Sequence, residues 1–130
     1  MEHLYVIGID YGTDSVRALL ADAESGEEIA VAVCNYSRWG RGLYCDTAKS
    51  QFRQHPLDYL EGLEQVLRQV IAQCPAPEAI RAIAVDTTAS TPCLVDRTCT
   101  PLSLTAGYEE NPDAMFVLWK DCLLYTSPSP

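Results

Sequence analysis

The stretch from Leu4 to Arg17 constrains this chain more than any other. Leu4 to Ile9 is apolar apart from the Tyr5 hydroxyl and Gly8, which suits a strand covered on both faces. Asp10 closes that strand with a carboxylate. Tyr11 to Asp14 then supplies Gly, Thr and Asp, which are turn formers, and Val16 to Ala23 resumes an apolar run. The turn is therefore short and the two strands antiparallel.

The chemistry of this hairpin follows from its residue types. A turn containing Gly12 can bring backbone N–H groups close to an anion, because no Cβ blocks the approach. Thr13 and Ser15 add hydroxyl donors to the same concavity. Phosphate oxygens need such donors. Mg²⁺ keeps several waters and takes only one or two protein oxygens, and Asp10 supplies a carboxylate beside the donors. Together they point to a Mg-nucleotide phosphate site. An ordinary hairpin whose polar residues only satisfy the turn carries the same local signature, so the context must decide.

At 130 residues the chain is one domain or a piece of one, long enough for a real core. An apolar content of 48% argues against disorder. The net charge of -9 and the lack of a Lys/Arg cluster argue against nucleic acid as a partner, since phosphate neutralisation needs basic side chains. A nucleotide held by backbone amides and Mg²⁺ stays open. No basic, apolar leader of the signal-peptide kind is present, and no apolar run is long enough to span a bilayer. Six cysteines, at 34, 45, 74, 93, 99 and 122, form no C-x-x-C pair, and His3 and His55 lie at no metal-ligand spacing from them. Reduced thiols in a cytoplasmic protein without a membrane partner are the economical reading.

Beyond a lead-in at Met1 to His3, the order of elements supplies the context. A third strand is expected from Glu28 to Tyr36, at the sheet edge with one face partly exposed, which completes an antiparallel meander. Ser37 to His55 breaks the periodicity and reads as a long loop carrying Trp39, Tyr44 and Phe52, either pinned to the core or lining a site. Pro56 to Cys74 is the clearest helix. Pro56 suits its first turn, Pro75 and Pro77 stop it, and Leu60, Leu63, Leu67, Val70, Ile71 and Cys74 make one apolar stripe. A fourth strand, Ala79 to Val85, ends at Asp86. A helix between strands is a crossover, so this strand is expected parallel to an earlier one. Placed beside the first strand, it brings Asp10 and Asp86 to the carboxyl edge, where ligands of open α/β sheets bind. Thr87-Thr88-Ala89-Ser90-Thr91 adds a second hydroxyl-rich loop there. Two acidic strand ends, each followed by a small polar turn, favour a site over a plain hairpin. A fifth short strand is expected over Pro92 to Asp96, and an apolar segment from Met115 leads into Trp119-Lys120-Asp121. No internal repeat and no interdomain linker is evident.

The stretch from Ile7 to Ala18 resembles the first phosphate motif of the FGGY carbohydrate kinases. Three further stretches resemble the ribulose-phosphorylating members: Arg38-Trp39 through Asp46, Gln51 to Pro56, and Glu110 to Asp121. The resemblance covers about residues 4–121. It implies an α/β actin-like (ribonuclease-H-like) ATPase domain, here incomplete, with residues 1–121 as the N-terminal part of the first kinase domain. It also implies ATP- and Mg²⁺-dependent phosphorylation of ribulose, a small-molecule sugar, on its terminal hydroxyl, in arabinose catabolism. By this resemblance Asp10 holds Mg²⁺ through water, while Gly12, Thr13 and Ser15 face the transferred phosphate. Asp86, Thr87, Thr88, Ala89 and Ser90 line the sugar side, with Trp119, Lys120 and Asp121 nearby. Many relatives carry Gly where this chain has Ala89, and a methyl there trims the pocket. The proton-accepting carboxylate is expected beyond residue 130, so no catalytic residue is assigned within the chain, and the 130-residue chain alone is expected to be inactive. Residues 122–130 do not resemble the family and read as a frameshift or assembly scar. The resemblance leaves room for a homo-oligomer of the full-length protein.

Three other functions fit parts of the pattern. Another sugar or polyol kinase of the family, such as one acting on xylulose, would carry the same phosphate turn. A nuclease of the same fold would use Asp10 and Asp86 with a third carboxylate to hold two metals, although the acidic charge and the Gly12-Thr13 turn count against it. A non-catalytic actin-like assembly domain would keep the fold without the chemistry.

Overall fold

The computed structural model describes residues 3–124. Met1 and Glu2 of the lead-in, and 125–130 of the tail expected to be foreign to the family, lie outside the described residues. The described chain divides into two compact units, residues 3–36 with 60–87 and residues 37–59 with 88–124. No linker or composition shift marks this division, because each unit is assembled from two separate stretches.

The first unit is a four-stranded sheet. β1 (Tyr5–Tyr11), β2 (Ser15–Asp22) and β3 (Glu28–Asn35) form the expected antiparallel meander. After a one-turn helix α1 (Ser37–Gly40), a two-residue strand β4 (Arg53–Gln54) and the long helix α2 (Pro56–Ala72), the strand β5 (Ile80–Thr87) returns parallel to β1. The sheet order is β3-β2-β1-β5. The meander, crossover helix and parallel strand inferred from the sequence are therefore all present.

One face of this sheet forms the core. Ile7 and Ile9 of β1, Val16, Ala18 and Leu20 of β2, and Ala30 and Ala32 of β3 are buried. Alternation along each strand sends Val31 and Val33 outward, as an edge strand with one open face requires. The helix covers the inner face, but not with the stripe read from its leucines. From Leu60 onward the buried positions are Gly62, Val66, Val70 and, just past the helix end, Cys74, a four-residue repeat. Leu60 and Ile71 are exposed. The stripe is rotated because Gly62 sits against the sheet: a Cβ there would lie 2.7 Å from Val16 Cγ1. A side chain's absence brings the helix close at that point, and a search for apolar residues passes over it. The cover ends before β5, where Ile83 and Val85 are more than half exposed.

The second unit is built around buried polar groups. β4 pairs antiparallel with β6 (Phe116–Val117). Ala114, Met115 and Leu118 are buried beside Arg53, Gln54, His55, Asp58 and Asp121. The supposed loop over 37–55 thus contains α1, a 3₁₀ turn at Thr47–Lys49 and β4. The expected strand over Pro92 to Asp96 is absent. Pro92 cannot donate to a ladder, and Val95 forms just an isolated bridge to Pro101. Asp96 instead closes the following turn, its carboxylate accepting from the Thr98 N–H, the Thr98 hydroxyl and the Thr100 N–H. Cys122 and Leu123 continue the fold of this unit: the Cys122 N–H donates to the Ser50 carbonyl and the Leu123 N–H to Asp121.

Candidate active site

Asp10 and Asp86 are neighbours in the first unit. The parallel register pairs Tyr11 with Thr87 and Asp10 with Asp86 at the carboxyl ends of β1 and β5. Paired residues of a parallel ladder share a face, so both carboxylates stand on the side of the sheet that α2 leaves open. Asp10 is about half exposed and Asp86 is exposed. The Asp86 carboxylate accepts the Thr87 N–H at 2.9 Å.

The turn after β1 is fixed at both ends by Tyr36. Its hydroxyl donates to the Gly12 carbonyl at 2.8 Å, and the Asp14 carbonyl accepts its N–H at 3.0 Å. The Gly12 N–H donates to the Ser15 carbonyl at 2.8 Å. The Gly12 amide is thus used inside the hairpin. Glycine serves here because a Cβ would lie 3.2 Å from that same Ser15 oxygen. Thr13 and Ser15 are half-buried on this turn.

Arg17 belongs to the same row, and the sequence reading passed over it. It lies opposite Asp10 in the antiparallel register, and its guanidinium meets the Asp10 carboxylate at 2.5 Å. A cation inside an otherwise apolar strand was the available signal. The row Arg17, Asp10, Asp86 places one guanidinium and two carboxylates on one face. Among the described residues no group of three or more His, Cys, Asp or Glu is placed to hold a metal ion. One or two carboxylate oxygens with the remaining positions filled by water is the donor set Mg²⁺ accepts, and Asp10 with Asp86 fits it.

The other expected residues lie in the second unit. Thr88 and Thr91 approach through their hydroxyls at 3.3 Å, and Thr91 donates to the Ala89 carbonyl. Ser90 holds a left-handed backbone, φ 54°, a conformation uncommon outside glycine. Trp119 is 42% exposed. Lys120 lies over two rings, with its ammonium 5.4 Å from the centre of Trp39 and 4.7 Å from that of Phe52.

Asp121, expected near the sugar side, is engaged within its own unit. It is fully buried. One oxygen accepts the Phe52 N–H at 2.7 Å and Arg53 Nε at 2.8 Å, and the other accepts the Leu123 N–H at 2.9 Å. Burial pushes its pKa up, but the hydrogen bonds from Arg53, Leu123 and Phe52, with the charge of Arg53, hold it below the usual carboxylate range. Its capacity is used in fixing the segments that carry Phe52 and Lys120.

Two further polar side chains fix this unit, and neither was singled out from the sequence. Asp58 accepts the N–H groups of Arg38 and Trp39, at 3.2 and 3.1 Å, and the Arg38 guanidinium at 2.9 Å. It thereby caps α1 from a distant part of the chain. The Leu57 N–H donates to His55 Nδ1 at 3.1 Å, so the proton is on Nε2, which donates to the Glu109 carbonyl at 2.9 Å.

The fold is that of part of an actin-like ATPase domain, a likeness shared with solved sugar-kinase structures. The chain aligns with a ligand-bound xylulose kinase from Lactobacillus acidophilus at TM-score 0.66 and 16% identity, over 90% of this chain and 20% of that one. Sequence similarity is narrower. The chain is 50% identical over 119 residues to a ribulokinase from Vibrio parahaemolyticus, covering 90% of this chain and 21% of the relative. It is 37% identical over 122 residues to a ribulokinase from Halalkalibacterium halodurans, covering 89% and 22%. Over these residues the chain is similar to ribulokinases, and it spans about a fifth of the length of the curated relatives it matches. No family model matches the chain.

Proposed function

We propose that this chain is the phosphate-turn portion of an enzyme that phosphorylates ribulose on its terminal hydroxyl at the expense of ATP, in arabinose catabolism in the cytoplasm. The adjacency of Asp10 and Asp86 at the carboxyl edge, joined to the turn at Gly12, is the observation that carries this reading. The identity of 50% to a ribulokinase supports ribulose as the sugar.

In this reading Asp10 holds Mg²⁺ through water, and Thr13 and Ser15 donate hydroxyl hydrogens to the phosphate to be transferred. Gly12 sets the closeness of the turn. Bound Mg²⁺ supplies positive charge against the phosphate oxygens. Arg17 orients the Asp10 carboxylate and adds a second cation at its edge. Asp86 and Thr87 are assigned to the sugar side on the family resemblance alone. In the second unit Thr88, Ala89, Ser90, Trp119 and Lys120 are the sugar-facing residues, and Asp121 supports them from within. The group that takes the proton of the sugar hydroxyl is assigned to the part of the relatives beyond the stretch matched here. No helix among the described residues is long and apolar enough to cross a membrane.

The test is ADP release by a polypeptide of the relatives' length that carries these residues, with ribulose, xylulose and glycerol compared at equal concentration. The reading requires ribulose to give the highest kcat/KM. A preference for xylulose or glycerol would reassign the sugar, and no sugar-dependent ADP release would remove the kinase reading.

A further inference from the structure

We propose that Trp39 and Phe52 are positioning residues that hold the Lys120 ammonium as an unneutralised donor toward the oxygens of an open-chain ketose. This rests on the sugar-kinase reading above and adds to it two residues and a reason for their chemistry.

The geometry is confined to the second unit. Lys120 Nζ lies within cation–π range of both rings. Among the described residues no carboxylate lies within ion-pair distance of it, although the chain carries 18 acidic residues against 9 Lys and Arg. A carboxylate would neutralise the ammonium and occupy its N–H groups. An aromatic face attracts the charge through its quadrupole and accepts no conventional hydrogen bond. The cation so held keeps donors for a ligand oxygen.

The backbone at both aromatic residues is anchored. Phe52 is clamped to the segment that carries Lys120, since the Leu118 N–H donates to its carbonyl at 3.0 Å and its own N–H donates to Asp121 at 2.7 Å. Arg53 fixes Asp121 in turn. The Trp39 N–H is held by the buried Asp58. Lysine loses considerable side-chain entropy on being immobilised, and this frame meets that cost before a ligand arrives. Trp119, next in the chain and 42% exposed, offers a flat apolar face for the carbon skeleton of a sugar. A ketose matches this pairing of an aromatic face with a directed donor.

The test is calorimetric titration of L-ribulose into the 130-residue chain and its variants, with tryptophan emission followed in parallel, since Trp39 and Trp119 are the two tryptophans present. Lys120→Met, Trp39→Leu and Phe52→Leu each weaken binding by about tenfold or more. Lys120→Arg, Trp39→Phe and Phe52→Tyr, which keep a cation or a ring, stay within about threefold of the parent. A merely structural role predicts no such separation between the two sets at equal thermal midpoints. If the parent binds ribulose and Lys120→Met binds it equally, the proposal fails and the kinase reading stands. If the parent shows neither heat nor an emission change with ribulose, the sugar-binding reading of this unit fails and the proposal with it. A third arm uses inorganic phosphate. Phosphate binding that is lost in Lys120→Met while ribulose binding persists makes Lys120 an anion contact and overturns the proposal.

Discussion

Asp10 and Asp86 occupy the same step of the parallel register between β1 and β5, and both stand on the face that α2 does not cover. Arg17 flanks Asp10 from the opposite strand. Like charges on adjacent strands repel, so a neighbouring guanidinium or a bound cation stabilises the row. If Asp10 serves to place charge, Asp10→Ala abolishes Mg-ATP turnover in a polypeptide of the relatives' length. The fold should change little, because a half-exposed ion pair contributes about 1 kcal/mol or less. Steady-state kinetics and a thermal melt on the same sample decide the point, and retained turnover removes Asp10 from the mechanism.

Gly62 gives a second prediction, in which two effects oppose each other. Alanine is the better helix former by about 1 kcal/mol. Its Cβ, however, would stand 2.7 Å from Val16 Cγ1, and Val16 is fully buried in the central part of the sheet. Overpacking of this kind costs about 1–3 kcal/mol. Gly62→Ala therefore lowers the urea midpoint despite its helix propensity, and Val16→Ala in the same chain restores part of the loss. A stabilised single variant would show that α2 can move away from β2.

The strand order, the crossover and the meeting of Asp10 with Asp86 were legible in the sequence because each is fixed by short-range pattern: apolar alternation, a tight turn, a helix between strands. What was not legible depended on contacts distant in sequence. The face of α2 was misread because Gly62, the residue of closest approach, has no side chain to score. Arg17 was passed over because its partner lies across a hairpin. The engagement of Asp121 is invisible to local pattern, because its partner Arg53 lies 68 positions earlier. The supposed loop over 37–55 folds around Asp58, Arg53 and His55, polar residues that a search for apolar periodicity discards.

The Arg53 pair supports a third prediction. Arg53 is 3% exposed and also donates to the Pro112 carbonyl and to Asp113, both at 2.9 Å. Arg53→Met keeps much of the volume but leaves Asp121 charged and buried. Breaking one side of such a pair costs about 3–5 kcal/mol. The deficit should be largest near neutral pH and narrow as pH falls, because protonation relieves the stranded carboxylate. Denaturation across pH 4 to 7, a span of about three units around the carboxylate range, measures this. A deficit that is independent of pH would mean that Arg53 acts through packing alone.

Asp22 sets the acid limit of the first unit. Its carboxylate accepts the N–H groups of Ser25, at 3.0 Å, and Glu24, at 2.8 Å, and meets His3 Nδ1 at 2.7 Å. These contacts, the two backbone N–H groups first, hold its pKa at about 2. The unfolded value is about 3.9, so folding favours the ionised form. The resulting stability is complete above about pH 4 and is lost as pH falls toward about 2. Asp22→Asn should therefore lower stability at neutral pH and flatten the stability profile between these limits. His3 is largely exposed, so His3→Gln should leave most of the acid slope in place, because the backbone donors remain. Urea midpoints taken from pH 6 down to about 2 separate the two variants. An acid slope that disappears in His3→Gln but survives in Asp22→Asn would assign the effect to the wrong partner of the pair.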